Sequence, residues 1–310
     1  MSVSILAFAL AAATATAAAP PIPPTASYAQ SQSEASVLEV LDVDTGVRHV
    51  VYATPDHIEA PNWSRGGKAL IFNSKGRLYR IPVEGGEPVA IDTGDAQKLN
   101  NDHGLSPDGR RVAMSDQSDG VSKVKVSSLA GGEPATLTPV GPSYFHGWSP
   151  DGATLAFVGE RDGNFDIYAI PADGGPERRL TTDPAPDDGP DYAPDGRIYF
   201  NSARSGRMQI WRMNPDGSAQ TRITTDDAYA DWFPHPSPDG KRMAMLSYDG
   251  AVQGHPGSLT VSLRLMRLDQ PDTPHTLLTL YGGQGTINVN SWAPDSRRLA
   301  FVRYIPATSP

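Results

Sequence analysis

An all-β fold is predicted, made of six repeated four-stranded sheets closed into a ring through a blade shared by the two chain ends. Three observations predict it. A turn motif recurs six times, in NWSRGGKALIF, GLSPDGRRVAM, GWSPDGATLAF, DYAPDGRIYF, HPSPDGKRMAM and SWAPDSRRLAF. The residues that precede the turn, Ser64, Ser106, Ser149, Ala193, Ser237 and Ala293, are spaced by 42, 43, 44, 44 and 56 residues. Blades of a four-stranded propeller have a period of about 40 to 45 residues. The 30 glycines and 29 prolines are spread evenly along 310 residues, as many short strands joined by tight turns require.

In chain order, residues 4–19, SILAFALAAATATAAA, form an uncharged apolar run followed by small-residue sites of the signal-peptidase kind. The run is too short and too alanine-rich for a membrane span, so it reads as a cleaved secretory leader, although no Lys or Arg precedes it. Residues 1–29 are assigned to signal and linker, with cleavage between 17 and 29, and residues 30–35 to linker. Residues 36–304 form one propeller, and 305–310 a tail. The localisation that follows is periplasmic or secreted, with no integral span in the mature chain.

The hairpin VLEVLDVDTGVRHVV at 37–51 precedes the first turn motif and supplies the third and fourth strands of a blade whose other strands lie near 288–304. Pairing the two ends removes the open sheet edges that a linear array would leave. Within each S-P-D-G turn, Pro fixes φ at the first corner, Asp bonds nearby amides and Gly takes the positive φ. The apolar run after each turn is the buried second strand. The hairpins RLYRIPVEGGEPVAI, KVKVSSLAGGEPATL, DIYAIPADGGPERRL, QIWRMNPDGSAQTRI and LRLMRLDQPDTPHTLL supply strands three and four of the other blades. The long fifth step is assigned to an insertion at 249–259, DGAVQGHPGSL, which would cover the channel and carry His255 over it.

The S-P-D-G-K/R turn with its apolar strand, and the R-x-G-x-x-x-I-Y/W pattern from Arg161 to Tyr168 and from Arg204 to Trp211, resemble the TolB-type propeller repeat. The likeness covers roughly residues 36–304 and implies the fold, while the function of such propellers varies. TolB itself carries an additional N-terminal domain, whereas about 35 residues precede the first strand here, so a role in the Tol system is not expected. Oligogalacturonate lyase, which resembles this repeat type, implies a histidine-rich manganese site. Its closely spaced histidine pair has no counterpart where this chain reads Asn288-Val289-Asn290.

The formal charge of −9 disfavours nucleic acid and anionic lipid as partners. The absence of cysteine excludes disulfides and thiolate metal sites. Function is expected on the channel, where residues upstream of each turn contribute polar groups: Asp102 and His103, Tyr144 and His146, Asp188 and Asp191, Trp232 and His235, Asn288 and Asn290. His103, His146 and His235 recur at matching positions, two or three residues before the marker. They could converge as acid and base or on one divalent ion, Mn, Ca or Zn. Alternatively they hydrogen-bond to water and backbone in a wet channel.

Acidic loops give this face a negative character, including Asp56, Asp95, Asp116, Asp183, Asp187, Asp226 and Asp231. A neutral or cationic small ligand, a glycan or an envelope protein is therefore the expected partner, with Tyr144, Phe145, Trp232 and Phe233 as stacking platforms. The leading functional expectation is a binding module of the cell envelope. The alternative is a carbohydrate-active lyase or hydrolase using the channel histidines. A serine peptidase is excluded because no G-x-S-x-G motif occurs and Ser149 of GWSPD sits in the repeated turn.

Overall fold

The computed structural model describes residues 34–269 and 273–306, so the leader and nearly all of the linker assigned from sequence lie outside the described residues. Blades 1 to 5 begin near the axis with Glu59–Trp63, Leu99–Leu105, Ser143–Trp148, Asp187–Tyr192 and Tyr229–Pro236. Each continues outward through three further antiparallel strands. Blade 6 is built from both ends: Arg298–Ile305 is followed outward by Ala35–Asp42 and then Arg48–Thr54. Eight residue pairs, from Ala35 with Ile305 to Asp42 with Arg298, close the ring. The innermost place of blade 6 is taken by the segment after a 3-10 turn, Gln284–Thr286, and its backbone pairs with the sheet at a bridge between Trp292 and Leu299.

The repeated turn follows from its residues. In blade 2 the Ser106 hydroxyl donates to Asp108 Oδ1 (2.6 Å), and the Arg110 amide donates to the same oxygen (3.0 Å). Gly109 N–H bonds the Ser106 carbonyl (2.8 Å) with φ +70°, a conformation glycine adopts without a Cβ penalty. Blades 3 and 5 repeat the Ser–Asp bond at 2.6 Å through Ser149 with Asp151 and Ser237 with Asp239.

Three of the six blade junctions are latched on this face by arginine over tryptophan. Arg111 lies 5.0 Å from the centre of Trp148, Arg298 4.8 Å from Trp63 and Arg242 5.8 Å from Trp292. Each pair joins the second strand of one blade to the inner strand of the next, a cation–π contact that also fills the space between the sheets. The indole N–H groups of Trp148 and Trp292 donate to the carbonyls of Gly104 and His235, each at 2.9 Å. Trp63, Trp148 and Trp292 thus have the inter-blade role that their positions suggest.

Buried carboxylates outside the axis are paired within their blades. Asp116 meets Lys125 at 3.1 Å, Asp187 meets Arg204 at 2.6 Å, and Asp231 meets Arg264 at 3.3 Å. Asp116, Asp187 and Asp231, expected to add to a negative face, are therefore buried and neutralised by partners. Arg161 braces the loop before blade 3, donating to Pro142 O (3.0 Å), Val140 O (3.2 Å) and the Glu177 carboxylate (3.0 Å). In the closing blade Glu39 is buried between Arg303 and Arg48.

The longer fifth repeat is taken up by extended strands Arg242–Asp249 and Leu259–Arg267 and by the loop 250–258 between them. Its outer strand, His275–Gly282, has eight residues where the outer strands of blades 1 to 4 have two.

Leu38 lies at the centre of the closing strand with no exposed surface, packed with Val302, Ile58 and Phe72. Truncation by Leu38→Ala should destabilise the protein by about 2 to 5 kcal/mol. Calorimetric melting checks this, and a melting temperature unchanged from the parent would show that closure does not depend on this contact.

Candidate functional site

Each inner strand of blades 1 to 5 carries a bulge just before its turn. Pairing shifts between Glu59 and Asn62, Leu99 and His103, Phe145 and Gly147, Asp188 and Asp191, and Trp232 and His235. The extra residue bends the strand and re-aims its side chains. In blades 1, 4 and 5 it is accommodated by a positive φ: 54° at Ala60, 57° at Gly189 and 52° at Phe233. The polar residues at these bulges meet across the axis.

The channel holds three connected groups. In the first, the Asp188 carboxylate of blade 4 lies between two imidazoles, with His146 Nε2 of blade 3 at 3.3 Å and His255 Nε2 of the blade 5 loop at 3.6 Å. His255 Nδ1 is 3.0 Å from Gln284 Oε1, and the Gln284 amide donates to Asn101 Oδ1 at 3.2 Å. In the second, His235 Nδ1 is 3.1 Å from Asp191 Oδ2, which also accepts from Asn290 Nδ2 at 2.8 Å. The other ring nitrogen of His235 lies 2.6 Å from the Ile287 carbonyl. In the third, Asp102 accepts from the amides of Asn288 and Asn100, while Asn101 donates to Glu59 Oε1 at 3.3 Å.

His103 does not join them. It has no exposed surface, and neither ring nitrogen makes a hydrogen bond among the described residues. Burial lowers its pKa to about 4, opposed only by the Ile71 backbone of blade 1, so the ring is neutral at ordinary pH. The structure therefore does not gather His103, His146 and His235. His146 shares a carboxylate with His255, His235 pairs with Asp191, and His103 lies against blade 1. Among the described residues no group of three or more His, Asp or Glu side chains is disposed to hold a metal ion.

Charge is distributed unevenly within the first group. Burial by itself would raise the Asp188 carboxyl, but hydrogen bonds and charge from His146 and His255 outweigh it and hold it well below the usual carboxylate range. Burial opposes protonation of His146, but its bond to Asp188 and the charges of Asp102, Asp188 and Asp191 raise its pKa. Burial raises the Asp102 carboxyl, with His146 and Asn100 pulling the other way. Asp188 keeps 23% of its side chain exposed, which makes it the accessible member of the pair with His146.

The loop 250–258 covers this group from blade 5. The Tyr248 hydroxyl donates to Pro256 O (2.9 Å), and Ser258 Oγ donates to Glu34 Oε2 (2.7 Å), which ties the loop to the first described residue of the chain. His255 is wedged edge-on against Trp232 and Phe233, with ring centres 4.5 and 5.4 Å apart. Trp232 is 5% exposed and Phe233 1%, so neither is an open stacking platform. They form the wall that positions His255. Phe145 is likewise buried and only Tyr144 of the expected aromatics is half-buried at the mouth. Asn100, Asn101, Glu59 and Gln284 belong to the network without having been singled out as ligand-binding from sequence. Asn100 and Asn101 adjoin Asp102 and were legible as polar; Gln284 lies in a turn with no repeat counterpart.

The family described as TolB β-propeller domain matches residues 104–303. An uncharacterized protein of Agrobacterium fabrum is 50% identical over 276 residues, covering 88% of this chain and 94% of that protein. The solved structure of a TolB candidate from Agrobacterium tumefaciens superposes with a TM-score of 0.85 at 48% identity, over 88% of this chain and 99% of that one. TolB from Acinetobacter baumannii superposes with a TM-score of 0.61 at 18% identity, over 76% of this chain and 61% of that one, a likeness of fold.

Two outcomes follow from the channel chemistry. A histidine whose folded pKa is lowered binds its proton more readily when unfolded, so stability falls as pH drops below 6.5 towards 4. His103→Leu should abolish that loss, which amounts to about 3 kcal/mol for a shift of this size; parallel urea titrations at pH 7 and 4.5 test it, and equal acid sensitivity in both proteins would refute it. The Asp188–His146 contact is complete above the ordinary carboxylate pKa of 3.8 and below the ordinary imidazole pKa of 6.5. It weakens as pH rises through the raised pKa of His146 or falls through the lowered pKa of Asp188. Asp188→Asn should loosen the loop 250–258, speeding its hydrogen exchange severalfold, as loss of one half-buried charged contact to His255 implies; unchanged exchange would separate the loop from this carboxylate.

Proposed function

Because the chain belongs to the TolB β-propeller family, we propose that it is an exported binding module of the cell envelope, periplasmic or secreted. On this reading it receives an envelope protein, a glycan or a neutral or cationic small ligand on its channel face. The observation that carries the reading is the state of the channel groups: deep in the channel they are spent on one another, while a rim of Asp188, Tyr144, His255 and Gln284 stays partly exposed. Such a surface offers fixed acceptors and an aromatic edge to a partner without a free acid–base pair. Export is supported by the leader-like run at 4–19, and among the described residues no helix is long and apolar enough to cross a membrane.

The reading as a lyase or hydrolase has less support. It needs His103, His146 and His235 to work on one substrate, and His103 is sealed from the others. Nor does Ser149 resemble a nucleophile, since its hydroxyl is committed to Asp151 within the repeated turn.

A photocrosslinking residue placed at exposed Gln253 on the channel loop should give a discrete adduct in envelope extracts of producing cells. The same residue at exposed Val89, on the outer strand of blade 1, should give none. Equal labelling from both positions, or none from either, would count against partner binding at the channel face.

A further inference from the structure

On the opposite face, between blades 4 and 5, lies a cleft of about 350 Å³ that breaks the pattern of the repeat. The other blades act as internal controls. Two residues along the second strand from the residue bonded to each turn marker, blades 1, 2, 3, 5 and 6 carry Ile71, Ala113, Ala156, Ala244 and Ala300. Blade 4 carries Tyr199. Its partner on the third strand is Arg212, where blades 2, 3, 5 and 6 pair Val126, Ala169, Leu265 and Val40, and blade 1 has the exposed Arg80.

The arginine–tryptophan latch is also missing at this junction. Where Arg111, Arg242 and Arg298 lie over an indole of the following blade, Arg197 of blade 4 faces a blade whose corresponding residue is Pro236. Arg197 turns instead to Asp195, at 2.7 Å from Nε. Asp239, across the cleft, accepts from the Ser237 hydroxyl (2.6 Å) and the Lys241 amide (3.0 Å). These two carboxylates are thus engaged, while the Arg212 guanidinium and the Tyr199 hydroxyl make no hydrogen bond or ion pair among the described residues. Arg212 acts on Asp195 only through space. The cleft between blades 2 and 3, about 500 Å³, is different in kind, because its Arg111 is consumed by Asp173 (2.8 Å), Gly152 O (3.1 Å) and Trp148.

We propose that the cleft between blades 4 and 5 binds a small organic carboxylate, its head group on Arg212 and Tyr199 and its apolar part against Pro194 and Leu268. A half-buried guanidinium with no hydrogen bond or ion pair among the described residues presents a planar fork that matches a carboxylate in bidentate fashion, and the phenol adds a third donor. Pro194 and Leu268 supply apolar wall beside these donors, Asp195 and Asp239 complete the lining with their own hydrogen bonds already made, and the volume lies at the small end of the range for small-ligand pockets.

Benzoate and the neutral benzamide serve as probes, titrated into the whole protein by calorimetry and by NMR shifts. Benzoate should bind saturably and benzamide at least tenfold more weakly. Arg212→Gln should weaken benzoate by at least tenfold, the loss expected for charge-assisted hydrogen bonds. Tyr199→Phe, which keeps the ring in its packing, should weaken it severalfold. Melting temperatures of both variants monitor folding, and Tyr199→Phe provides the readout if Arg212→Gln does not fold. Absence of saturable benzoate binding, equal affinity for benzamide, or full affinity in the folded Arg212→Gln protein would each overturn the assignment.

Discussion

Closure of the ring by the antiparallel pairing of Ala35–Asp42 with Arg298–Ile305 is the constraint on which the rest of this molecule depends. Each blade alone is a twisted four-stranded meander with apolar faces that nothing within the blade covers. Only when the sixth sheet is completed do all the faces find neighbours, and only then is the separation of the inner strands fixed. The contacts that define the channel are consequences of this geometry. Asn288 of the last segment reaches Asp102 of blade 2, and Gln284 reaches Asn101. Neither pair is close in sequence, and neither would form in an open array.

The fold was legible because its signals are local and repeated. Ser, Asp and Gly of the turn fix one another through bonds spanning two to five residues, so every copy announces a hairpin by itself. The mixed sixth blade was legible because the chain begins with a third-and-fourth-strand hairpin and ends with a first-and-second-strand one. The channel was legible as a set of positions but not as a set of partnerships. Near-equal spacing before the turn put His103, His146 and His235 at about one height, yet a bulge in each inner strand rotates the side chains differently. His103 is thereby turned into the wall, and His146 out to Asp188. No residue type marks these bulges: Ala60 and Phe233 adopt positive φ with ordinary side chains, because the surrounding sheet imposes it.

The electrostatics show the same division. A count of acids predicts a negative face, but the carboxylates of Asp116, Asp187 and Asp231 are withdrawn into pairs with bases from their own blades. Removing either partner would strand a buried charge, so these pairs fix the loops they join more than they add net stability. What the channel offers to solvent is therefore decided by Asp188 and its two imidazoles rather than by overall charge. The same logic separates the two faces. At the channel axis Asp188 meets imidazoles from blades 3 and 5, while on the turn face Arg197 and Arg298 pair with acids of their own turns and Arg111, Arg242 and Arg298 stack on indoles.

The buried Glu39, held between Arg303 and Arg48, has a kinetic side. The strand that contains it, ASVLEVLD, precedes every blade in synthesis, yet its inner neighbour is the last strand to be made. Until then an apolar segment of high β-propensity waits with an open edge, the circumstance in which strands recruit wrong partners. A carboxylate in the middle of that segment has its matching guanidiniums in the closed ring and is a burden in pairings that lack them. The charge therefore favours the closed ring over other pairings of this strand.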